Sequence, residues 1–166
     1  KPALGEYSTG LIMGENADRL ARRLGITRRE QDEFAELSHQ RAVSAWKKGV
    51  FDREVAPVVL PGQAAAITID NGPREETRAE NIGKLKGAFD RKYGTVTAAN
   101  SSFLTDGASA VLLMRESRAR ELGLKPKAYI KSFAYSGQNV LEELLLGPVF
   151  SMVPALKKAG LSFSDL

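Results

Sequence analysis

The stretch from Gly94 to Ala110, Gly-Thr-Val-Thr-Ala-Ala-Asn-Ser-Ser-Phe-Leu-Thr-Asp-Gly-Ala-Ser-Ala, constrains this chain more than any other. Thr95-Val96-Thr97 is β-branched throughout, as a buried strand prefers. Five small residues follow, Ala98, Ala99, Asn100, Ser101 and Ser102. They leave a ligand an open approach to the backbone and offer hydroxyl and amide groups to bind it. Asp106 suits a helix N-cap, because its carboxylate can accept from the unpaired amides of the next turn. A strand running through small polar residues into a capped helix is where α/β proteins place ligands, at the carboxyl ends of strands. The same spacing also describes a tight connection with no ligand, and spacing alone leaves both readings open.

Composition narrows the classes. A chain of 166 residues, 43% of them hydrophobic, has a globular composition with one core and room for part of another. No run approaches a membrane span, and Lys1-Pro2 does not begin a signal peptide, so no integral membrane segment is expected. The absence of cysteine excludes disulfides, thiolate metal sites and thiol nucleophiles within these residues. His39 is the single histidine, which excludes a histidine cluster, and no metal site is expected. A net charge of +4 and a pI near 9.4 favour anionic partners. The charges are scattered, so nucleic acid is one candidate beside a phosphorylated cofactor. Neither Gly-x-Gly-x-x-Gly nor a Walker-type phosphate loop occurs.

In chain order, residues 1–9 read as a loop. Ala17, Leu20, Ala21 and Leu24 form one face of a short helix ended by Gly25. Thr27 and Glu30 make a capping box for a helix from Arg28 to about Lys48, with Phe34, Ala35, Ser38, Ala42, Ala45 and Trp46 as its inner face. Trp46 reads as core and His39 as a structural or surface histidine. Short strands follow at Val55–Leu60 and Ile67–Ile69, joined by a Pro61-Gly62 turn, with Pro57 pointing to an edge position. Asp70-Asn71-Gly72-Pro73 is a second turn that puts Arg74 on an exposed bend. Thr77 and Glu80 repeat the capping-box spacing ahead of a helix carrying Ile82 and Leu85. An arginine beside a helix start can hold a phosphate; taken unaided, Arg74 reads first as an ordinary solvated arginine. Beyond the central stretch come a strand at Val111–Met114, a helix at Glu116–Leu122 stopped by Gly123, and a strand at Ala128–Ala134. A last helix begins near Ser151, so that Pro154 falls in its first turn. It ends at Gly160, and residues 162–166 look like a further cap.

These residues together resemble the thiolase family. The central stretch is similar to the thiolase strand-to-helix segment, and Ser102-Phe103-Leu104-Thr105 is closest to the long-chain 3-ketoacyl-CoA thiolases, the β subunits of trifunctional fatty-acid oxidation complexes. Many other thiolases carry glycine where Phe103 stands. Met13-Gly14 with Ala17-Asp18-Arg19-Leu20-Ala21 resembles the family's entry to its loop domain. Arg29-Glu30-Gln31-Asp32-Glu33-Phe34-Ala35 with Ser38-His39-Gln40-Arg41-Ala42 resembles its long helix. Leu85-Lys86-Gly87-Ala88-Phe89 resembles a Leu-Lys-Pro-Ala-Phe segment, with Gly87 in place of the usual proline. Gly147-Pro148 with Lys157-Lys158-Ala159-Gly160-Leu161 resembles the start of the C-terminal half.

The resemblance implies a thiolase-like layered α/β fold. Residues 1–92 would form the loop domain, 93–122 the end of the N-terminal half and 123–166 the start of the C-terminal half. It implies acyl transfer between coenzyme A (CoA) thioesters, in which 3-ketoacyl-CoA is cleaved by free CoA through an acyl group carried on a cysteine. The family's catalytic cysteines and histidine have no counterparts in these residues. The chain is therefore expected to be an internal segment, with no catalytic residue of its own and no activity alone. The family's CoA contacts carry over to Arg74 at the nucleotide end, Ser102 on the pantetheine arm beside Ala98, Leu85 and Met13 along the tunnel, and Leu144 near the reacting end. Asn81 stands where some thiolases have serine. CoA and acyl-CoA enter as substrates, with no permanently bound cofactor. The implied partners are further copies of the chain and a hydratase/dehydrogenase α subunit. The implied compartment is the bacterial cytoplasm or the mitochondrial matrix. A non-catalytic thiolase-like acyl-CoA or lipid binder is the alternative. A basic helical module for RNA or a protein partner leaves the central stretch unexplained, and nucleic acid is not expected.

Overall fold

The computed structural model describes residues 5–166; residues 1–4 of the predicted opening loop lie outside the described residues. Two compact units make up the chain, with Gly10–Phe103 as the body of the first and Leu104–Leu166 as the body of the second.

The first unit is built on two helices. Helix α1, Met13–Leu24, begins four residues before Ala17. The Ile12 amide donates to the Glu15 carboxylate at 3.0 Å, which satisfies one of the first-turn donors that a helix leaves open. It ends at Gly25 in the left-handed region (φ 67°), and it buries Asn16 and Asp18 beside Ala21 while Leu24 is exposed. Helix α2, Arg28–Lys47, opens on the predicted capping box. The Thr27 amide donates to Glu30 Oε2 at 2.7 Å, and the Glu30 amide donates to Thr27 Oγ1 at 3.2 Å. The first of these bonds, with help from the Thr27 hydroxyl, holds the Glu30 carboxyl below its ordinary range.

The inner face of α2 is not the predicted apolar one. Phe34 is 71% exposed and Ser38 is exposed, while Ala35, Ala42, Ala45 and Trp46 are half-buried. The residue α2 buries is Asp32, 2% exposed. Arg28, Asp32, Glu36 and His39 are spaced four, four and three apart, so they share one stripe of the helix. Each reaches the chain between Arg74 and Asn100. Arg28 donates to the Ile82 and Leu85 carbonyls at 2.7 and 3.0 Å. Asp32 accepts from Asn100 Nδ2, and Glu36 accepts from the Ala79 amide at 2.8 Å. His39 accepts from the Arg74 amide.

In the last turn of α2, Trp46 packs on Phe51 just beyond the helix, with ring centroids 4.9 Å apart. Strands β1, Val58–Val59, and β2, Ala66–Ile67, form an antiparallel hairpin with Val58 opposite Ile67. It is shorter than predicted, and Gly62 takes the positive φ (80°) that the Pro61-Gly62 turn needs. Helix α3 spans only Ala79–Ile82. The predicted Thr77–Glu80 capping box does not form: the helix starts one residue later, with Arg78 at its N-cap, and its first amide, Ala79, donates to Glu36 of α2 instead. Leu85 consequently lies beyond the helix.

Val96 and Thr97 are buried as expected and Thr95 is half-buried, but the stretch pairs with no strand among the described residues. The Thr95 and Val96 amides both donate to Asp18 Oδ1, at 2.7 and 2.8 Å, and the Val96 carbonyl accepts from the Ala88 amide at 2.8 Å. A carboxylate from α1 thus fills the place of a neighbouring strand. Gly94 is needed there, because a Cβ would stand 2.7 Å from Asp18 Oδ2 and 2.4 Å from the Asp90 carbonyl.

The second unit departs furthest from expectation. Asp106 caps no helix, since residues 104–115 are not helical. The predicted strands Val111–Met114 and Ala128–Ala134 are absent, and Val111 and Ile130 are 82% and 73% exposed. A strand requires a partner's backbone groups, and no strand among the described residues of this unit supplies them. Helix α4 spans Glu116–Glu121, near its predicted bounds, with Gly123 at φ 65° beyond it. Helix α5, Val140–Glu143, is capped by Asn139 and passes through a 3₁₀ turn, Leu144–Leu146, into helix α6, Gly147–Ala159. Helix α6 starts four residues before Ser151, with Pro148 in its first turn and Pro154 in its interior. Pro154 has no N–H, so the Phe150 carbonyl loses its i+4 donor. Ser132 donates to the Ala155 carbonyl at 2.7 Å and Lys158 to the Phe133 carbonyl at 3.2 Å, which lays residues 132–133 along this helix. The chain closes on a 3₁₀ turn, Phe163–Asp165, where the Ser162 amide donates to Asp165.

Leu104, Val111, Leu112, Ile130 and Tyr135 are all largely exposed. Surfaces of that kind associate. The 166-residue chain produced by itself is expected to run as oligomers or aggregates in size exclusion with light scattering. A monodisperse monomer with a sharp thermal transition overturns this expectation.

Candidate functional site

The segment from Thr97 to Phe103 is held by its own side chains. The Thr97 amide donates to Asn100 Oδ1 at 2.7 Å, and the Ala99 and Asn100 amides donate back to Thr97 Oγ1 at 3.2 and 3.3 Å. Asn100 Nδ2 then donates to Asp32 Oδ1 at 2.9 Å and to the Thr95 carbonyl at 3.0 Å. Ser101 donates to the Thr97 carbonyl at 2.6 Å, and Gln31 of α2 donates to Thr95 Oγ1 at 3.0 Å. Asp32 Oδ2 receives Arg28 Nε at 2.7 Å, so this buried carboxylate has a partner on each oxygen. That matters because a buried charge is tolerated only when it is paired and hydrogen-bonded. Every polar side chain of the loop is therefore engaged within the unit except Ser102, whose hydroxyl is exposed with no partner among the described residues. Ala98, exposed beside it, leaves room over the backbone.

The second element is the turn at residues 70–74. The Arg74 amide donates to His39 Nδ1 at 3.1 Å. The imidazole packs on Phe103 with centroids 5.9 Å apart, and the Phe103 ring in turn covers Gly72. A Cβ on Gly72 would stand 2.6 Å from that ring, so glycine is what allows the approach. Arg74 projects from this clamped turn with its guanidinium exposed and unpaired among the described residues. Its acidic neighbour Glu75 is occupied. Lys47 of α2 donates to the Glu75 carboxylate, and that bond is the main cause holding its carboxyl below the ordinary range. Arg74 thus presents a positive charge that no adjacent carboxylate neutralises.

The remaining predicted positions divide between the units. Leu85 is exposed in the first unit, its carbonyl held by Arg28 and through it by Asp32 and Asn100. Met13, exposed on the first turn of α1, precedes Gly14, against which the Phe89 ring packs; Ala88 bonds Val96 of the central stretch. Arg74, Ser102, Ala98, Leu85 and Met13 all lie in the first unit, where the Arg74 amide and the Leu85 carbonyl are tied to helix α2. Leu144 is half-buried in the 3₁₀ turn of the second unit, and Asn81 is exposed on α3. Among the described residues no three of His, Asp and Glu gather as metal ligands, and no helix is long and apolar enough to cross a membrane.

Sequence reasoning missed Asp18, Arg28, Asp32, Asn100 and the pairing of His39 with Arg74. Arg28 and Asp32 carried a signal, four residues apart with opposite charge. So did Thr97-x-x-Asn100, a spacing suited to reciprocal side-chain and backbone bonds. The His39–Arg74 pairing spans 35 residues and had none.

Comparison with known proteins agrees with this geometry. Residues 1–117 match the family described as thiolase, N-terminal domain. A 3-ketoacyl-CoA thiolase of Serratia proteamaculans is 51% identical over 165 residues, covering 99% of this chain and 38% of the relative. One of Photobacterium profundum is 52% identical over the same share of each. The crystal structure of the Bacillus anthracis acetyl-CoA acetyltransferase superposes with a TM-score of 0.90 at 35% identity, covering 98% of this chain and 41% of that one. The thiolase-like α/β fold is thereby established, and the chain spans about two-fifths of the length of the relatives it matches.

Removing Asn100 tests the loop. In the full-length protein, Asn100→Ala leaves the Thr97 amide and one oxygen of Asp32 without their partners. The expected loss is about 1–3 kcal/mol of stability, the cost of unsatisfied buried groups, read as a lowered midpoint in chemical denaturation. An unchanged midpoint shows that the loop does not depend on this side chain.

Proposed function

This chain belongs to the thiolase family, and we propose that it serves within a 3-ketoacyl-CoA thiolase of fatty-acid degradation as the part that holds CoA. The reaction breaks the bond between the α and β carbons of a 3-ketoacyl-CoA. The acyl group passes to the sulphur of a second CoA, and acetyl-CoA departs. These 166 residues contain no cysteine, so the thiolate nucleophile of that chemistry lies outside them. Their contribution is to bind and align the thioester, which places the reacting carbonyl before the chemical step begins.

The observation that carries the reading is that two exposed polar side chains, Ser102 and Arg74, flank one packed junction in sequence, Ser102 next to Phe103 and Arg74 two residues past Gly72. Arg74 meets the phosphorylated nucleotide end, where a guanidinium makes paired, charge-assisted hydrogen bonds. Ser102 meets an amide of the pantetheine arm, since a hydroxyl both donates and accepts. Ala98 leaves space for the arm. Leu85 and Met13 supply apolar lining, and Leu144 stands near the reacting end. The same reading places the enzyme in the bacterial cytoplasm or the mitochondrial matrix. It also gives the enzyme further copies of itself and a hydratase/dehydrogenase subunit as partners.

Two measurements follow. The isolated 166-residue chain, given acetoacetyl-CoA and CoA, is expected to leave the enolate absorbance at the buffer rate; turnover above it, with contaminating thiolase excluded, overturns the division of labour. In the full-length protein, Ser102→Ala is expected to weaken CoA binding by about 1 kcal/mol, the net value of one neutral hydrogen bond. Arg74→Ala is expected to cost as much or more at low salt and less at high salt, because the charge is exposed and screened. Calorimetric titration of CoA and dephospho-CoA reads both, and unchanged affinity for Arg74→Ala at low salt overturns the assignment.

A further inference from the structure

His39 is the one histidine of the chain, and no chemistry in the proposed reaction uses it. Its Nδ1 accepts the backbone amide of Arg74 at 3.1 Å. Its ring packs at a tilt on Phe103, and Phe103 covers Gly72, two residues before Arg74. The turn is therefore gripped at two points, by an acceptor at its end and by a ring at its middle. Pro73, lying between them, has its φ set by its own ring. Nothing else among the described residues hydrogen-bonds the Arg74 amide. Phe103 directly follows Ser102, so the same contact ties the two polar positions together.

We propose that His39 is a positioning residue for CoA. By accepting the Arg74 amide it fixes the turn from which the guanidinium reaches the phosphorylated end of the ligand, and it touches no part of the ligand itself. A side chain on a turn with an untethered amide samples more directions, and that freedom is lost on binding at a cost in affinity. The inference rests on the CoA reading of Arg74. It adds that the guanidinium's direction is imposed from helix α2, 35 residues away in sequence.

The test is a set of substitutions in the full-length protein, read by calorimetric titration of CoA at low salt. His39→Phe keeps a ring against Phe103 and removes the acceptor. His39→Asn places an amide oxygen near the Nδ1 position and keeps the acceptor. The expected result is CoA binding weakened about fivefold by His39→Phe, the worth of one hydrogen bond, and restored to within about twofold by His39→Asn. In the Arg74→Ala background, His39→Phe is expected to add nothing, as for two residues acting through one contact. Should His39→Phe not fold, His39→Gln takes its place, because its amide matches the Nε2 position and offers no acceptor at Nδ1. If Arg74→Ala itself leaves CoA binding unchanged, the CoA reading of Arg74 fails and this inference falls with it. If Arg74→Ala weakens binding, three results overturn the positioning role alone: no effect of His39→Phe, no rescue by His39→Asn, or an additive loss in the double variant.

Discussion

The first unit depends on one polar stripe along helix α2. Arg28, Asp32, Glu36 and His39 each take a hydrogen bond to a different point of the segment between Arg74 and Asn100. That segment has little regular structure of its own, only the four residues of α3. Its backbone donors and acceptors must still find partners, and helix α2 supplies them from side chains. An apolar stripe in the same place would bury more hydrocarbon and leave the Ala79 and Arg74 amides and the Ile82 and Leu85 carbonyls without these partners. Water can meet the exposed Arg74 and Leu85 groups, but the part-buried Ala79 amide and Ile82 carbonyl would cost up to about 1–3 kcal/mol each, comparable with the gain from burying a large apolar side chain.

Asp18 works the same way from helix α1. Its Oδ1 gathers two backbone amides and the Thr95 hydroxyl, while Oδ2 is buried without a partner among the described residues. A buried carboxylate is expensive to desolvate, and its amide bonds offset that cost only when the geometry is close. Gly94 provides the closeness, since any side chain there would strike Asp18 Oδ2. The two aspartates thus hold the central stretch from opposite ends, Asp18 at Thr95–Val96 and Asp32 through Asn100. Between them Ala98 is left exposed while Thr97 is buried and Ala99 half-buried. The openness read from Ala98 and Ser102 is a consequence of inward bonding by their neighbours.

The second unit shows the opposite case. Helices α4 and α6 form because a helix satisfies its backbone internally, even where, as at Pro154, one bond is lost. Val111–Met114 and Ala128–Ala134 have sequences suited to strands, yet a strand is a relation between two segments. Their apolar side chains remain exposed where no partner strand is present among the described residues.

Local signals decided what the sequence alone could determine. The Thr27–Glu30 capping box, the Gly25 and Gly123 stops, the Pro61-Gly62 turn and the helices near Glu116 and Lys157 all depend on groups a few residues apart, and each formed close to where it was read. Motif content likewise pointed to the family, which the match of residues 1–117 bears out. Only the tertiary structure decided the inner face of α2, the cap of α3 and the role of His39. Periodicity identifies a buried face by its hydrocarbon, and here the buried face carries charge, which is stable only because partners 35 to 78 residues distant meet it. Distances of that length are set by packing, and no local spacing encodes them.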